Sequence, residues 1–211
     1  MLYLLPLLLT TPDLALQPFN VAAASTLSMD MGSMYYDSEP NDSVQFDAQM
    51  PLPDAWGQKG TKRWGIVGGY AIDFEETDNR LLRVGLEIEH FVENNLSLDL
   101  GLHIIDVEQS GKDAMGLNVS TQLRWHFINE DMWSMFLEGG VGLLRTSANV
   151  PSGGSEFNFT TQIGCGFSFD AGNYNRWLIG ARWFHISNAN TYNNNPGRDS
   201  VMLWTGISIP Y

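Results

Sequence analysis

Lysine is nearly missing from this chain: Lys59, Lys62 and Lys112 are the only ones in 211 residues, and charged residues of all kinds reach just 17%. A domain of this size that faces water on all sides normally carries more charge than that, so part of the exterior must be suited to another medium. Eleven Lys+Arg stand against 24 Asp+Glu, a net charge of −13. Sequence-independent binding of nucleic acid needs cations opposite phosphates, so nucleic acid is excluded as a partner. Cys165 is the single cysteine, which excludes an internal disulfide, and with four histidines dispersed along the chain no zinc-ligand spacing exists. No metal or organic cofactor is expected. A bilayer-crossing helix takes about 20 apolar residues, and the one unbroken apolar run, Leu2 to Leu9, is too short for that.

The same run has the character of the apolar stretch of a secretory signal. Val21 to Ala24 supplies small residues for cleavage, although no Lys or Arg precedes the run. Residues 1–24 are therefore expected to be an export signal; a mis-assigned start or a buried N-terminal strand is the alternative. Residues 25–60 change character, with Asp30, Asp37, Glu39, Asp42, Asp47 and Asp54 against Lys59. They read as an acidic, mostly irregular segment. A tail is the simplest expectation, but Tyr35, Tyr36, Phe46 and Trp56 are large enough to pin it as a plug or lid.

From Thr61 onward the pattern has period two, the signature of strands. Trp64, Ile66, Tyr70 and Ile72 alternate with Gly65, Val67, Gly69 and Ala71; Leu82, Val84, Leu86 and Ile88 with Arg83, Gly85, Glu87 and Glu89; Leu98, Leu100, Leu102 and Ile104 with Asp99, Gly101 and His103. The pattern recurs through Phe157, Phe159, Ile163, Cys165, Phe167 and Phe169, where Cys165 reads as a small apolar filler. Phe136 and Leu144 interrupt it in the fifth strand. Eight such strands account for residues 61–211. Short turns at Glu93–Asn95, Asn129–Asp131 and Ala171–Asn173 are expected to alternate with longer loops near Glu75–Asn79, Glu108–Lys112, Ser147–Gly154 and Asn188–Arg198. This is the layout of an all-β, eight-stranded antiparallel up-and-down transmembrane β-barrel.

A soluble ligand-binding barrel would alternate equally well with its faces reversed. The polar face, built of Gly, Ser, Asn and Gln with sparse charges of both signs and almost no lysine, suits a packed lumen better than a solvated exterior. Trp64, Trp125, Trp133, Trp177 and Tyr211 fall near strand ends, where interfacial aromatic girdles lie. The last residues, Trp204 to Tyr211, alternate into a terminal aromatic like the final strand of outer-membrane barrels, with Trp204 in place of a polar residue and Pro210 unable to donate a ladder bond.

A barrel implies no activity by itself. The chemistry-bearing stretch is Arg182-Trp183-Phe184-His185-Ile186-Ser187-Asn188-Ala189 followed by Asn193-Asn194-Asn195-Pro196-Gly197-Arg198-Asp199. His185 and Ser187 are two apart on a strand and project to the outward face that carries Ile179, Ala181 and Trp183. Asp199 falls by parity with Val201, Leu203 and Ile207 on that same face of the next strand. Three polar side chains thus meet where hydrocarbon would demand apolar ones. Acyl transfer is the chemistry such a set can perform, with Ser187 as nucleophile, His185 as general base and Asp199 orienting the imidazole. Polar side chains at the headgroup level are the alternative. Arg182 points inward by parity, which leaves Arg198 as the candidate for lipid phosphates. His90, His103 and His126 read as structural hydrogen-bonders.

The run His185-x-Ser187-Asn188-Ala189, then Asn195-Pro196-Gly197, then an acid fourteen residues after the histidine and a final strand, resembles the lipid A 3-O-deacylases, a family of eight-stranded outer-membrane barrels. The likeness covers the chain from about Thr61. It implies that His185, Ser187 and Asp199 form a triad on the outside of the barrel and that Asn188 lies at the oxyanion site. It also implies an integral outer-membrane location, with the site towards the outer leaflet and lipid A of lipopolysaccharide as substrate. The family acid is expected to be Glu, one methylene longer than Asp199. The rival expectation is a non-enzymatic barrel serving adhesion or envelope stability, and a homodimer stays open.

Overall fold

The computed structural model describes residues 56–76 and 78–211, so the export signal and most of the acidic segment expected from sequence lie outside the described residues. Eight strands follow one another: β1 (Lys62–Asp73), β2 (Arg80–Glu93), β3 (Leu96–Glu108), β4 (Ala114–Asn129), β5 (Trp133–Val150), β6 (Ser155–Asp170), β7 (Arg176–Ser187) and β8 (Arg198–Pro210). Each pairs antiparallel with its neighbours in sequence, and β8 closes on β1 from Arg63↔Pro210 to Asp73↔Ser200, giving a closed barrel. Closure leaves no unpaired strand edge, the condition for β-structure in hydrocarbon.

Side-chain parity decides what faces where. Ile66, Leu86, Leu100, Val119, Val141, Ile163 and Leu203 are exposed on the outer wall, whereas Glu87, Asp99, His103, Arg124, Glu138 and Arg182 are buried inside. An apolar exterior around a polar, filled lumen is the inversion expected of a membrane barrel and the opposite of a soluble ligand carrier. The lumen is held by ion pairs centred on Arg124, whose guanidinium lies 2.9 Å from Asp99, 3.2 Å from Glu89, 3.3 Å from Glu138 and 3.5 Å from Glu87. Arg182 reaches Glu138 at 3.0 Å.

Phe136 and Leu144 do not interrupt the alternation: both are fully buried on the inner face and fill the lumen. Trp204 is also inside, stacked over Arg182 with its ring 4.4 Å from the guanidinium carbon. Glycine makes the room, since a Cβ on Gly180 would stand 2.6 Å from Trp204 Nε1 and one on Gly166 2.5 Å from Phe136 Cζ. The loop expected at Ser147–Gly154 is shorter than that. Strand β5 runs to Val150 and rejoins β6 at Val150↔Ser155 after a register shift, so only residues 151–154 turn.

The chain ends of the barrel share one rim with the connections 94–95, 130–132 and 171–175, and Trp64, Trp125, Trp133, Trp177 and Tyr211 all fall towards that rim. Of the residues able to pin the acidic segment, Trp56 does so. Its ring meets Phe91 edge-on at 5.3 Å, and the guanidinium carbon of Arg63 lies 4.9 Å and that of Arg176 5.1 Å from its centroid. The opposite rim carries residues 74–79, 109–113, 151–154 and 188–197, the last being the longest connection.

Candidate active site

Strands β7 and β8 are antiparallel neighbours, and their register sets His185 directly opposite Asp199, just short of the pairing end at Ile186↔Arg198. Directly opposed residues point to the same face with Cβ atoms about 5 Å apart. A short acid therefore reaches: His185 Nδ1 lies 2.9 Å from Asp199 Oδ1. The missing methylene relative to glutamate is made up by this register. A carboxylate only accepts, so Nδ1 carries the proton and Nε2 presents its lone pair. The contact sits at a surface, with 27% of the His185 side chain and 45% of the Asp199 side chain exposed.

Ser187 is the last residue of β7, opposite Phe159 of β6, and is half-buried on the same outward row as Trp183 and His185. It makes no hydrogen bond with His185 in this structure. Nucleophile–base bonds are often long in the absence of substrate and tighten when it binds. One residue, Ile186, separates the pair, and two strand steps set their backbones about 7 Å apart, within reach of the Nε2 side of an imidazole.

Asn188 turns inward and is buried. It organises the loop 188–197: its backbone N–H donates to Asn195 Oδ1 at 3.0 Å and its Nδ2 to Asn194 O at 2.8 Å, while its Oδ1 accepts from Asn190 N at 3.0 Å. Asn194 in turn donates to Gly153 O at 2.7 Å, tying this loop to the one between β5 and β6. Left-handed φ angles at Ala189 (51°) and Asn190 (61°) make the tight bend, and Gly197 (φ 69°) returns the chain beside the imidazole, where a Cβ would lie 3.5 Å from His185 Cε1.

Arg198 does not meet the expectation of a lipid-phosphate ligand. By parity it sits on the inner face, 3% exposed, with Nε 3.3 Å from Asp73 Oδ2, which takes it away from the lipid side. His103 and His126 are buried in the lumen as expected, His103 beside Glu87 at 3.3 Å and His126 bonded to Ser134 at 2.8 Å. Among the described residues no group of three His, Cys, Asp or Glu is arranged to hold a metal ion.

Trp183 is the residue of this site that sequence reasoning placed only as an apolar contact. Its Nε1 donates to Asp199 Oδ1 at 2.7 Å and its ring stacks on His185 with centroids 5.5 Å apart and planes 24° off parallel. The available signal was its diagonal position to Asp199, a distance that large aromatics span across a strand pair.

The family model described as lipid A 3-O-deacylase (PagL) matches residues 45–208. The chain belongs to the lipid A 3-O-deacylase family. The crystal structure of the outer membrane enzyme PagL superposes with a TM-score of 0.59 at 22% identity, covering 70% of this chain and 99% of that one. The crystal structure of Neisserial surface protein A superposes with a TM-score of 0.55 at 15% identity, covering 71% and 96%. At these identities both likenesses speak to the eight-stranded barrel. No curated protein matches the chain.

Proposed function

We propose that the protein is an outer-membrane esterase that hydrolyses the 3-O-linked acyl ester of lipid A, using Ser187, His185 and Asp199 on the lipid-facing wall. The observation that carries this reading is the His185 Nδ1 to Asp199 Oδ1 contact of 2.9 Å, made on the apolar exterior where nothing structural calls for a hydrogen-bonded polar pair. The barrel's chain ends lie on the periplasmic side in this reading. The site at the far end of β7 then stands in the outer leaflet, at the depth of the lipid A headgroup. Residues 1–24 act as the export signal, and residues 25–60 form an acidic lead-in whose Trp56 sits in the periplasmic mouth.

His185 Nε2 removes the proton from Ser187 Oγ as the oxygen attacks the ester carbonyl, and the imidazolium that results is stabilised by Asp199. Collapse of the tetrahedral intermediate breaks the bond to the sugar 3-oxygen, which takes the proton from His185 and leaves the acyl group on Ser187. Water, deprotonated by the same imidazole, then attacks the acyl-enzyme and releases the 3-hydroxy fatty acid. Asn188, which the family resemblance places at the oxyanion site, is turned inward and buried in this structure, where its amide orders the loop beside the nucleophile; it would have to turn outward to serve an oxyanion at Ser187. The acyl chain lies against Trp183, Val201 and Ile179, so the substrate never leaves the membrane plane.

Purified protein incubated with lipid A in mixed micelles is expected to release a hydroxy fatty acid, and Ser187→Ala to release none while migrating as a folded, heat-modifiable barrel. Release by a folded Ser187→Ala variant would overturn the assignment. Absence of release by the unaltered protein across lipid A species would favour the non-enzymatic barrel.

A further inference from the structure

An exposed aspartate beside one histidine is poorly held. Its carboxylate turns freely about the last side-chain bond, and each turn away leaves the imidazole without an orienting partner. Here the acid is Asp199, its side chain 45% exposed, and its Oδ1 accepts two donors: His185 Nδ1 at 2.9 Å and Trp183 Nε1 at 2.7 Å. Two donors converging from one strand on the same oxygen fix the carboxylate's rotation in a way that one does not. The indole also stacks on the imidazole in an offset arrangement, with centroids 5.5 Å apart and planes 24° from parallel. A ring face in that position restrains the imidazole plane and attracts its cationic form.

Resting on the triad proposed above, we infer that Trp183 is a positioning residue of the reaction: its N–H locks the Asp199 carboxylate against His185, and its ring holds the imidazole in plane. Trp183 touches no reacting atom. It acts through Asp199 and His185, and it supplies the rigidity that a short, half-exposed acid lacks.

The same strand pair contains an internal comparison. Trp177 stands in β7 opposite Ile207 and donates Nε1 to Thr205 Oγ1 at 2.7 Å, two residues before its partner. Trp183 stands opposite Val201 and donates to Asp199, again two residues before its partner. Both tryptophans brace β7 to β8 with the same diagonal bond, so a merely structural role would be shared by the two. Only Trp183 has an ionisable acceptor that also holds a histidine.

Three substitutions separate the roles. Trp183→Phe keeps an aromatic ring and removes the donor; replacement of Trp183 by 3-benzothienylalanine keeps the full bicyclic shape and removes only the N–H; Trp177→Phe removes the equivalent brace elsewhere. With lipid A in mixed micelles, both changes at Trp183 are expected to lower kcat about tenfold, the order of one charge-assisted hydrogen bond, with KM within about twofold. Trp177→Phe is expected to leave kcat unchanged. An undiminished kcat in Trp183→Phe, full activity in the benzothienylalanine protein, a loss carried by KM, or an equal kcat loss in Trp177→Phe would each overturn the role. Ser187→Ala measured alongside distinguishes the two levels: hydrolysis persisting there overturns the triad itself, whereas an inert Ser187→Ala with an undiminished Trp183→Phe overturns the role of Trp183 alone.

Discussion

Replacing Arg124 by methionine removes the cation that four lumen carboxylates share, and should separate stability from catalysis. Arg124 is 2% exposed and lies within 2.9 to 3.5 Å of Asp99, Glu89, Glu138 and Glu87. After its removal Glu138 keeps Arg182 at 3.0 Å and Glu89 keeps Arg63 at the looser 3.9 Å, but Asp99 is left with the Ser97 hydroxyl at 2.7 Å and the Gln122 amide at 3.2 Å. At least one carboxylate then remains buried without a cation. Breaking one partner out of a buried pair costs about 3–5 kcal/mol, and the guanidinium stacking on Phe136 and Trp204 is lost as well. Urea unfolding of the protein in lipid vesicles, followed by tryptophan fluorescence, should show a destabilisation of that order. The reacting groups lie on the other side of the wall, so ester hydrolysis per folded molecule should stay within about twofold. An unfolding free energy within about 1 kcal/mol of the original would refute the assignment of Arg124 as the lumen's keystone; a lost activity in folded protein would refute the separation of lumen from site.

Asp199→Asn keeps the size of the acid but removes its charge, and it is expected to lower kcat by about 10² to 10⁴-fold with the barrel's heat resistance unchanged; a loss under threefold would remove Asp199 from the triad. Gly180→Ala places a Cβ 2.6 Å from Trp204 Nε1 and 2.9 Å from Cys165 O, so it should destabilise by about 1–3 kcal/mol through overpacking in the urea assay. Unchanged stability there would mean that Trp204 can shift within the lumen.

Parity carried most of what the sequence discloses. Because strand side chains alternate, Trp183, His185 and Ser187 share the outward row of Ile179 and Asp199 that of Val201, Leu203 and Ile207, and antiparallel pairing of β7 with β8 brings the acid back to the histidine. Parity assigns a face and nothing finer. It could not tell that Phe136, Leu144 and Trp204 are lumen fillers rather than breaks in the pattern, because that depends on the space left by Gly166 and Gly180 across the barrel. It could not tell that β5 runs on to Val150 and pairs again with β6 at Val150↔Ser155 after a register shift beyond Arg145↔Phe157, since Ser147 to Gly154 has the composition of a loop. Arg198 drew attention as a cation near the headgroups, yet its side chain goes to Asp73 on the other strand that flanks β8. The hydrogen bond from Trp183 to Asp199 depends on exact register between two strands, which a ten-residue loop hides from a linear reading.

The central claim is that the chemistry sits at Ser187 on the outer wall, and mass spectrometry of lipid A from cells producing the protein or its Ser187→Ala variant tests it most directly. Cells with the unaltered protein should yield lipid A lighter by one 3-hydroxyacyl group, and cells with a folded, membrane-inserted Ser187→Ala should yield lipid A at full mass. Lipid A shortened equally by both proteins would contradict the account.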